Sequence, residues 1–271
     1  MTVSLTFDDG ITAHATIVAP LLVKYGWRGA FNVVTDFLDP NPVTLTEEKL
    51  KILGLVNHSD KRMSWDDARN LLKSGHEVYP HSCTHEKLGE LFKSGRHEEL
   101  FHEIVDSIGD FEKRLGMHPR FFCCPHLDWT PEVRDLIRLN KVEMFNNQRP
   151  GFGTGVTPRD VARLLCRKYY EGRPHVDLMF HGIVEREGGH RPFRDEEEFE
   201  AILKGLKALE DAGKIRVEPY VTVHRGYSRF GFFVDRWSWL RNKVRRVWFR
   251  LCFRDHHDMT VWDGIVEGAA V

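Results

Sequence analysis

Short apolar runs with a two-residue alternation are interleaved, almost from end to end, with segments of helical period, and this interleaving most constrains the fold. The first run, Val3-Ser4-Leu5-Thr6-Phe7, alternates apolar and polar residues as a strand does. Further strands are expected at 30–34, 76–80, 120–124, 142–145, 162–168, 175–180 and 215–223. Helices are expected near 12–25, 64–74, 96–115, 131–139 and 195–212. Ser64 reads as an N-cap, with Asp66 and Asp67 in the first turn behind it. Gly75 and Gly213 close helices. Residues 35–62, with Pro40 and Pro42, read as an excursion from the pattern. Such alternation implies parallel strands with helices outside. The expected fold class is therefore α/β: a distorted (β/α) barrel of seven or eight mostly parallel strands.

The unusual residues fall at strand ends. Asp8-Asp9 follow the first strand, His81 the third, His126 the fourth and His181 the one at 175–180. In a parallel barrel these ends share one face, where active sites are built. A chain of 271 residues fits one such domain with an appendage. The expected division is a barrel over 1–225 and a basic, aromatic, helical extension over 226–271. The formal net charge of -1 gives no bias toward nucleic acid, and none is expected as a partner. Five cysteines without a CxxC pair fit a reducing compartment, with Cys123-Cys124 as plain strand residues. No basic and apolar leader precedes the first strand, so the cytoplasm is the expected location.

Two adjacent carboxylates repel unless a cation sits beside them, and Gly10 after them permits a tight turn. His81 and His85 are spaced so that both imidazoles can reach one metal. Two histidines and a carboxylate form a recurring catalytic metal set with an open position for water. Taken singly, each motif has a structural reading: an Asp-Gly turn, two incidental histidines, a packed histidine at a strand end.

Together these residues resemble the polysaccharide deacetylases, carbohydrate esterase family 4, the NodB homology domain. Thr6-Phe7-Asp8-Asp9-Gly10 resembles the first motif of that family and His81-Ser82-Cys83-Thr84-His85 the second. Phe122-Cys123-Cys124-Pro125-His126 resembles the third, in the branch that reads roughly Phe-x-Tyr-Pro-Tyr-Gly, and Leu178-Met179-Phe180-His181-Gly182 the last. The resemblance implies Asp8 as general base and His181 as general acid. It implies Asp9, His81 and His85 as ligands of a divalent metal, zinc first, with cobalt, nickel or manganese accepted. Pro125 and His126 would flank the oxyanion and substrate. The Arg that often opens the third motif is Cys123 here, so another group must restrain Asp8; Arg167 is the expected one. The glycine after the third motif is Leu127, and no Asp-Trp element orients His181, since Asp128-Trp129 comes too early.

The implied activity is hydrolysis of the N-acyl group of an amino sugar or glycan. The expected substrate is an intracellular intermediate of surface polysaccharide or O-antigen assembly, with Trp129, His126, Phe152 and Tyr169 as stacking candidates. Hydrolysis of a non-sugar amide or cyclic imide is the alternative, and a catalytically silent glycan-binding domain the alternative of another class. Between Arg236 and Arg254 stand six Arg, one Lys and no acid, which leaves -1 - 7 = -8 elsewhere. Trp237, Leu240, Val244, Val247, Trp248 and Leu251 share a helical face in this run. Peripheral contact with anionic membrane, at its inner face, is expected through 236–254; packing of that face on the barrel is the competing reading.

Overall fold

A computed structural model of the chain describes residues 1–40, 45–59, 61–145, 151–153, 155–224 and 257–269. Its centre is strand β1 (Thr2–Phe7), which pairs in parallel with β7 (His175–Phe180) along its whole length, Thr2 opposite His175 and Phe7 opposite Phe180. The other edge of β1 is shared. β8 (Arg216–Val217) pairs with its first residues and β2 (Ala30–Val33) with its last. β3 (Glu77–Pro80) continues from β2, and β6 (Gly151–Phe152) from β7. The pair β4 (Phe121–Phe122) and β5 (Glu143–Met144) joins through the Cys123 amide, which donates to the Pro80 carbonyl at 3.0 Å. Every pairing between the described strands is parallel, and the result is a distorted (β/α) barrel.

Strand alternation sorts the core into two shells. Val3, Leu5 and Phe7 of β1 face outward into the main apolar cluster, where Phe7 meets Phe199 of the helix Glu196–Asp211. The opposite phase faces the barrel interior. It contains Ser4 and Thr6 of β1, Ala30 and Asn32 of β2, Tyr79 of β3, and Phe121 and Cys123 on and beyond β4. The floor of the barrel is aromatic: Phe145 stacks on Tyr220 at 3.6 Å between centroids, and Phe121 meets Tyr220 edge-on.

The helix signals are seen where expected. Ser64 and Asp67 form a reciprocal capping box at the start of the helix Trp65–Lys73. Some elements differ. Residues 162–168, expected as a strand, lie in the helix Pro158–Tyr170. Thr157 and Asp160 form a capping box there, Pro158 sits in its first turn, and Val161, Ala162, Leu165 and Cys166 are buried at helical spacing. The segment 215–223 splits into β8 and a short helix, Tyr220–His224, whose first two amides donate to the Glu77 carboxylate at 2.7 and 2.8 Å. Strand β6 was not expected; two residues with glycine carry too little period to be read.

The C-terminal helix His257–Gly268 lies on Pro158–Tyr170 and Glu196–Asp211, with Trp262 and Val266 buried in the main cluster. Arg163 binds the Asp263 carboxylate through Nε and Nη2 at 3.1 and 2.8 Å. The basic run 236–254, and with it the expected membrane contact, lies outside the described residues. No helix among the described residues is long and apolar enough to cross a membrane.

Candidate metal-dependent active site

The interior phase of three strands delivers the chemistry to one barrel mouth. Asp8 extends β1, His81 extends β3 and His181 extends β7. Asp9 would point away as the next residue in the alternation. Its backbone instead enters the left-handed region (φ 84°), followed by Gly10 (φ 72°), and the turn brings both carboxylates to the same mouth. Ser82, His85, His126 and Leu127 also have positive φ. Five of the seven described non-glycine residues in this conformation thus belong to the site or its framing turns. Such strain persists where the surroundings over-determine it, and it clusters at functional sites.

A cavity of about 340 Å³ is lined by Asp8, Asp9, His81, His85, His126 and His181, with Ile52, Cys124, Leu127, Met179 and His190 completing it. The ligand-capable atoms of Asp9, His81 and His85 lie within 4.8 Å of one another. Asp9 Oδ1 stands 3.7 Å from His81 Nε2 and 3.3 Å from His85 Nε2. Among the described residues this buried oxygen has no hydrogen-bond partner of proper geometry. That combination fits a divalent ion: an orphaned carboxylate oxygen facing two imidazole nitrogens at ligand spacing. His81 Nδ1–H donates to the Cys123 carbonyl at 2.8 Å, which fixes the tautomer and leaves the Nε2 lone pair toward the cavity. The Asp8 carboxylate with His81 and Cys123 is a competing ligand group. Asp8 Oδ1, however, already accepts from Asn32 Nδ2 at 2.6 Å, and Cys123 Sγ lies 4.0 Å from Oδ2. The Asp9 oxygen thus faces the two imidazoles, while the Asp8 carboxylate is engaged by Asn32.

The HxxxH turn is braced from outside. Glu103, buried on the helical segment His102–Asp106, accepts the Thr84 amide at 2.9 Å and the Thr84 hydroxyl at 2.5 Å. Ser82 Oγ accepts the His85 amide at 3.0 Å. Burial alone would raise the Asp9 carboxyl, but His181, His85 and His81 outweigh it and hold that group well below the usual carboxylate range. His126 is pushed down to about 4 by lost hydration and by His85 and His81 nearby. Its ring meets that of His85 edge-on at 4.6 Å.

The family model of the polysaccharide deacetylases matches residues 1–145, more than half of the chain. The chain belongs to the polysaccharide deacetylase family. As a member it is a metal-dependent N-deacetylase, a hydrolase of amide bonds. Among solved structures, the deacetylase is similar to a T48 deacetylase with substrate, at 17% identity and a TM-score of 0.51, over 83% of this chain and 91% of that one. It is similar to the peptidoglycan deacetylase PdaC from Bacillus subtilis, at 18% identity and a TM-score of 0.50, over 87% and 96%. It is also similar to a family 4 acetyl xylan esterase from Clostridium thermocellum in complex with a cobalt ion, at 19% identity and a TM-score of 0.50, over 82% and 91%. At these identities the likeness is one of fold. No curated protein sequence matches the chain.

Within the deacetylase, some expected residues stand apart from the cavity. Arg167 is exposed on the helix Pro158–Tyr170 and does not line it. That position was expected at a strand end, and the Thr157 cap instead begins a helix there, turning Arg167 to the outside. Asn32, in the interior phase of β2, holds Asp8 in its place. Pro125 is buried and outside the lining, while its neighbours Cys124 and His126 are within it. Phe152 is core, Tyr169 packs near Trp262, and Trp129 packs on the cluster around Val133, so of the stacking candidates only His126 faces the cavity. Asp128 is structural: it accepts the Glu90 amide at 2.9 Å. His181 is set by two other histidines. His14 Nε2 is 2.7 Å from the His181 carbonyl, and the His190 ring meets His181 edge-on at 5.5 Å. His190 is brought over the cavity by the Gly182 amide, which donates to its carbonyl at 2.9 Å. A Cβ on Gly182 would meet the Pro192 Cα at 2.8 Å, so only glycine allows that approach.

Proposed function

We propose that this deacetylase removes an acetyl or other N-acyl group from a single amino sugar unit of a surface polysaccharide or O-antigen intermediate. The observation that carries this is the convergence of Asp9, His81 and His85 with Asp8 and His181 around one cavity. Asp9, His81 and His85 would hold a divalent ion, zinc by preference, which would supply Lewis acidity and lower the pKa of the attacking water toward about 7. Asp8, aimed by Asn32, accepts the proton of the attacking water. His181, which lines the same cavity, gives a proton to the departing amine, which leaves poorly as its anion. The segment Cys124–Leu127 carries the acyl oxygen against the cavity wall.

The cavity volume of about 340 Å³ is at the low end for small-molecule sites, which favours one acetamido sugar over a run of several. The seven cations of 236–254 favour a sugar carried at an anionic membrane surface, and the inner face is the proposed location. Acetate release from lipid-linked, nucleotide-linked and polymeric N-acetylated sugars tests the reading. We expect turnover on a monosaccharide-bearing carrier, and Asp8→Asn to keep the metal but lose ~10²–10⁴-fold in turnover. Release from polymer alone would contradict the substrate class, and loss of metal in Asp8→Asn would reverse the two acids.

A further inference from the structure

We propose that His175, Asp177 and His224 form a second divalent-metal site, at the end of the barrel opposite the cavity, where an ion ties the helix Tyr220–His224 to β7.

Residues 175, 177 and 179 share one face of β7. Met179 lines the catalytic cavity, so His175 and Asp177 face the same interior at the strand's beginning. Asp177 and His181 are four residues apart, roughly 13 Å along a strand, so the two groups share no ligand. His224 ends the helix Tyr220–His224 and stacks on Tyr220 at 4.0 Å between centroids, and Tyr220 stacks on Phe145. The imidazole is thereby fixed by the aromatic floor. Its ring meets His175 edge-on at 4.8 Å.

The donor atoms of the three residues lie within 4.8 Å of one another. His224 Nε2 and Asp177 Oδ1 are 3.6 Å apart. A hydrogen-bonded imidazole and carboxylate would close to about 2.7–2.9 Å. Two atoms bound to one zinc at about 2.0–2.1 Å, at the tetrahedral angle, stand about 3.3–3.4 Å apart. The catalytic group shows the same spacing, 3.3 and 3.7 Å from carboxylate to imidazole. The second group therefore has the separation of co-ligands. Asp177 also accepts a short hydrogen bond from Ser4 Oγ on β1, the kind of outer bond that orients a metal-binding carboxylate. Asp177 and His224 are buried and His175 half-buried, which gives an ion an entry path. Three protein ligands leave one tetrahedral position for water. The N-terminal end of such a barrel is where stability is built rather than chemistry.

The test uses the full chain, stripped with a chelator, reloaded with zinc and dialysed. We expect two equivalents of zinc, and anomalous density at the zinc edge beside both groups. His175→Ala and His224→Ala should each bind one equivalent, keep acetate release, and lose part of the zinc-dependent rise in Tm. His81→Ala should also bind one equivalent but lose acetate release. A single anomalous peak in the wild-type protein, beside Asp9, would overturn the proposal. So would folded His175→Ala that still binds two equivalents, which keeps the question decidable even where His224→Ala fails to fold.

Discussion

Asp8 and Asp9 are neighbours in sequence, and one left-handed backbone step at Asp9 gives them separate environments. Asp8 is held through Oδ1 by Asn32, while the Asp9 Oδ1 faces His81 and His85. Asn32→Leu keeps the volume and removes the donor. A hydrogen bond to a charged group is worth about 1.5–3 kcal/mol, so turnover should fall roughly ten- to hundredfold. Metal content and KM should change little; a loss confined to KM would show that Asn32 acts on substrate binding instead. The convergence of Asp8, Asp9, His81 and His181 on one cavity was legible because they follow strand ends, where period and polarity break together, and that of His85 through its spacing from His81. Asn32 was legible in principle, as a polar residue inside the run Ala30-Phe31-Asn32-Val33-Val34 at the interior phase. The supporting histidines His14 and His190 carry no such signal, because their partners come from folds of the chain far away in sequence.

At the scale of elements, the helix Trp65–Lys73 ends against His76, whose Nδ1 accepts the Gly29 amide at 3.2 Å. Burial, then the charge of Arg28, pushes His76 down to about 4, and burial likewise pushes His14 to about 4. Both are neutral in the folded chain, while their unfolded value is 6.5. Below that value the unfolded chain takes up protons that the folded chain refuses. Stability is thus fully present above pH 6.5 and declines as pH falls toward 4, by up to about 3 kcal/mol for each residue. His76→Asn keeps an acceptor for Gly29 and cannot titrate. Denaturant melts of the chelated protein at pH 7 and 5 should show a smaller loss in His76→Asn than in wild type; equal losses would contradict the assignment. Helix caps such as Ser64 and Thr157 were legible, or should have been, since both are local. Thr157 and Pro158 mark a helix start that the apolar content of 162–168 outweighed in the sequence reading. The short β6 takes its conformation from its neighbour in the sheet, so nothing local announces it, whereas β8 is the opening of the apolar run 215–223, whose far end turns helical.

The whole molecule is closed on its outside by its own C-terminus. The helix His257–Gly268 buries Trp262 and Val266 in the main cluster and pairs Asp263 with Arg163. A chain ending at residue 256 should lose about 3–6 kcal/mol of stability from those two side chains and the exposed surface they leave. An unchanged denaturant midpoint would mean that the helix contributes nothing to the fold. The barrel itself was legible from the order of strands and helices, and the convergence of site residues followed from their shared strand ends. The aromatic floor and the docking of the last helix were not, because both depend on which distant faces meet. The central claim is that Asp9, His81 and His85 hold the ion on which hydrolysis depends. Acetate release from an N-acetylated amino sugar, measured before and after chelation and again after zinc is restored, tests it most directly when wild type and Asp9→Ala are run together. Activity should vanish on chelation and return with zinc in wild type only, whereas a metal-free chain with full turnover, or zinc-restored activity in Asp9→Ala, would contradict it.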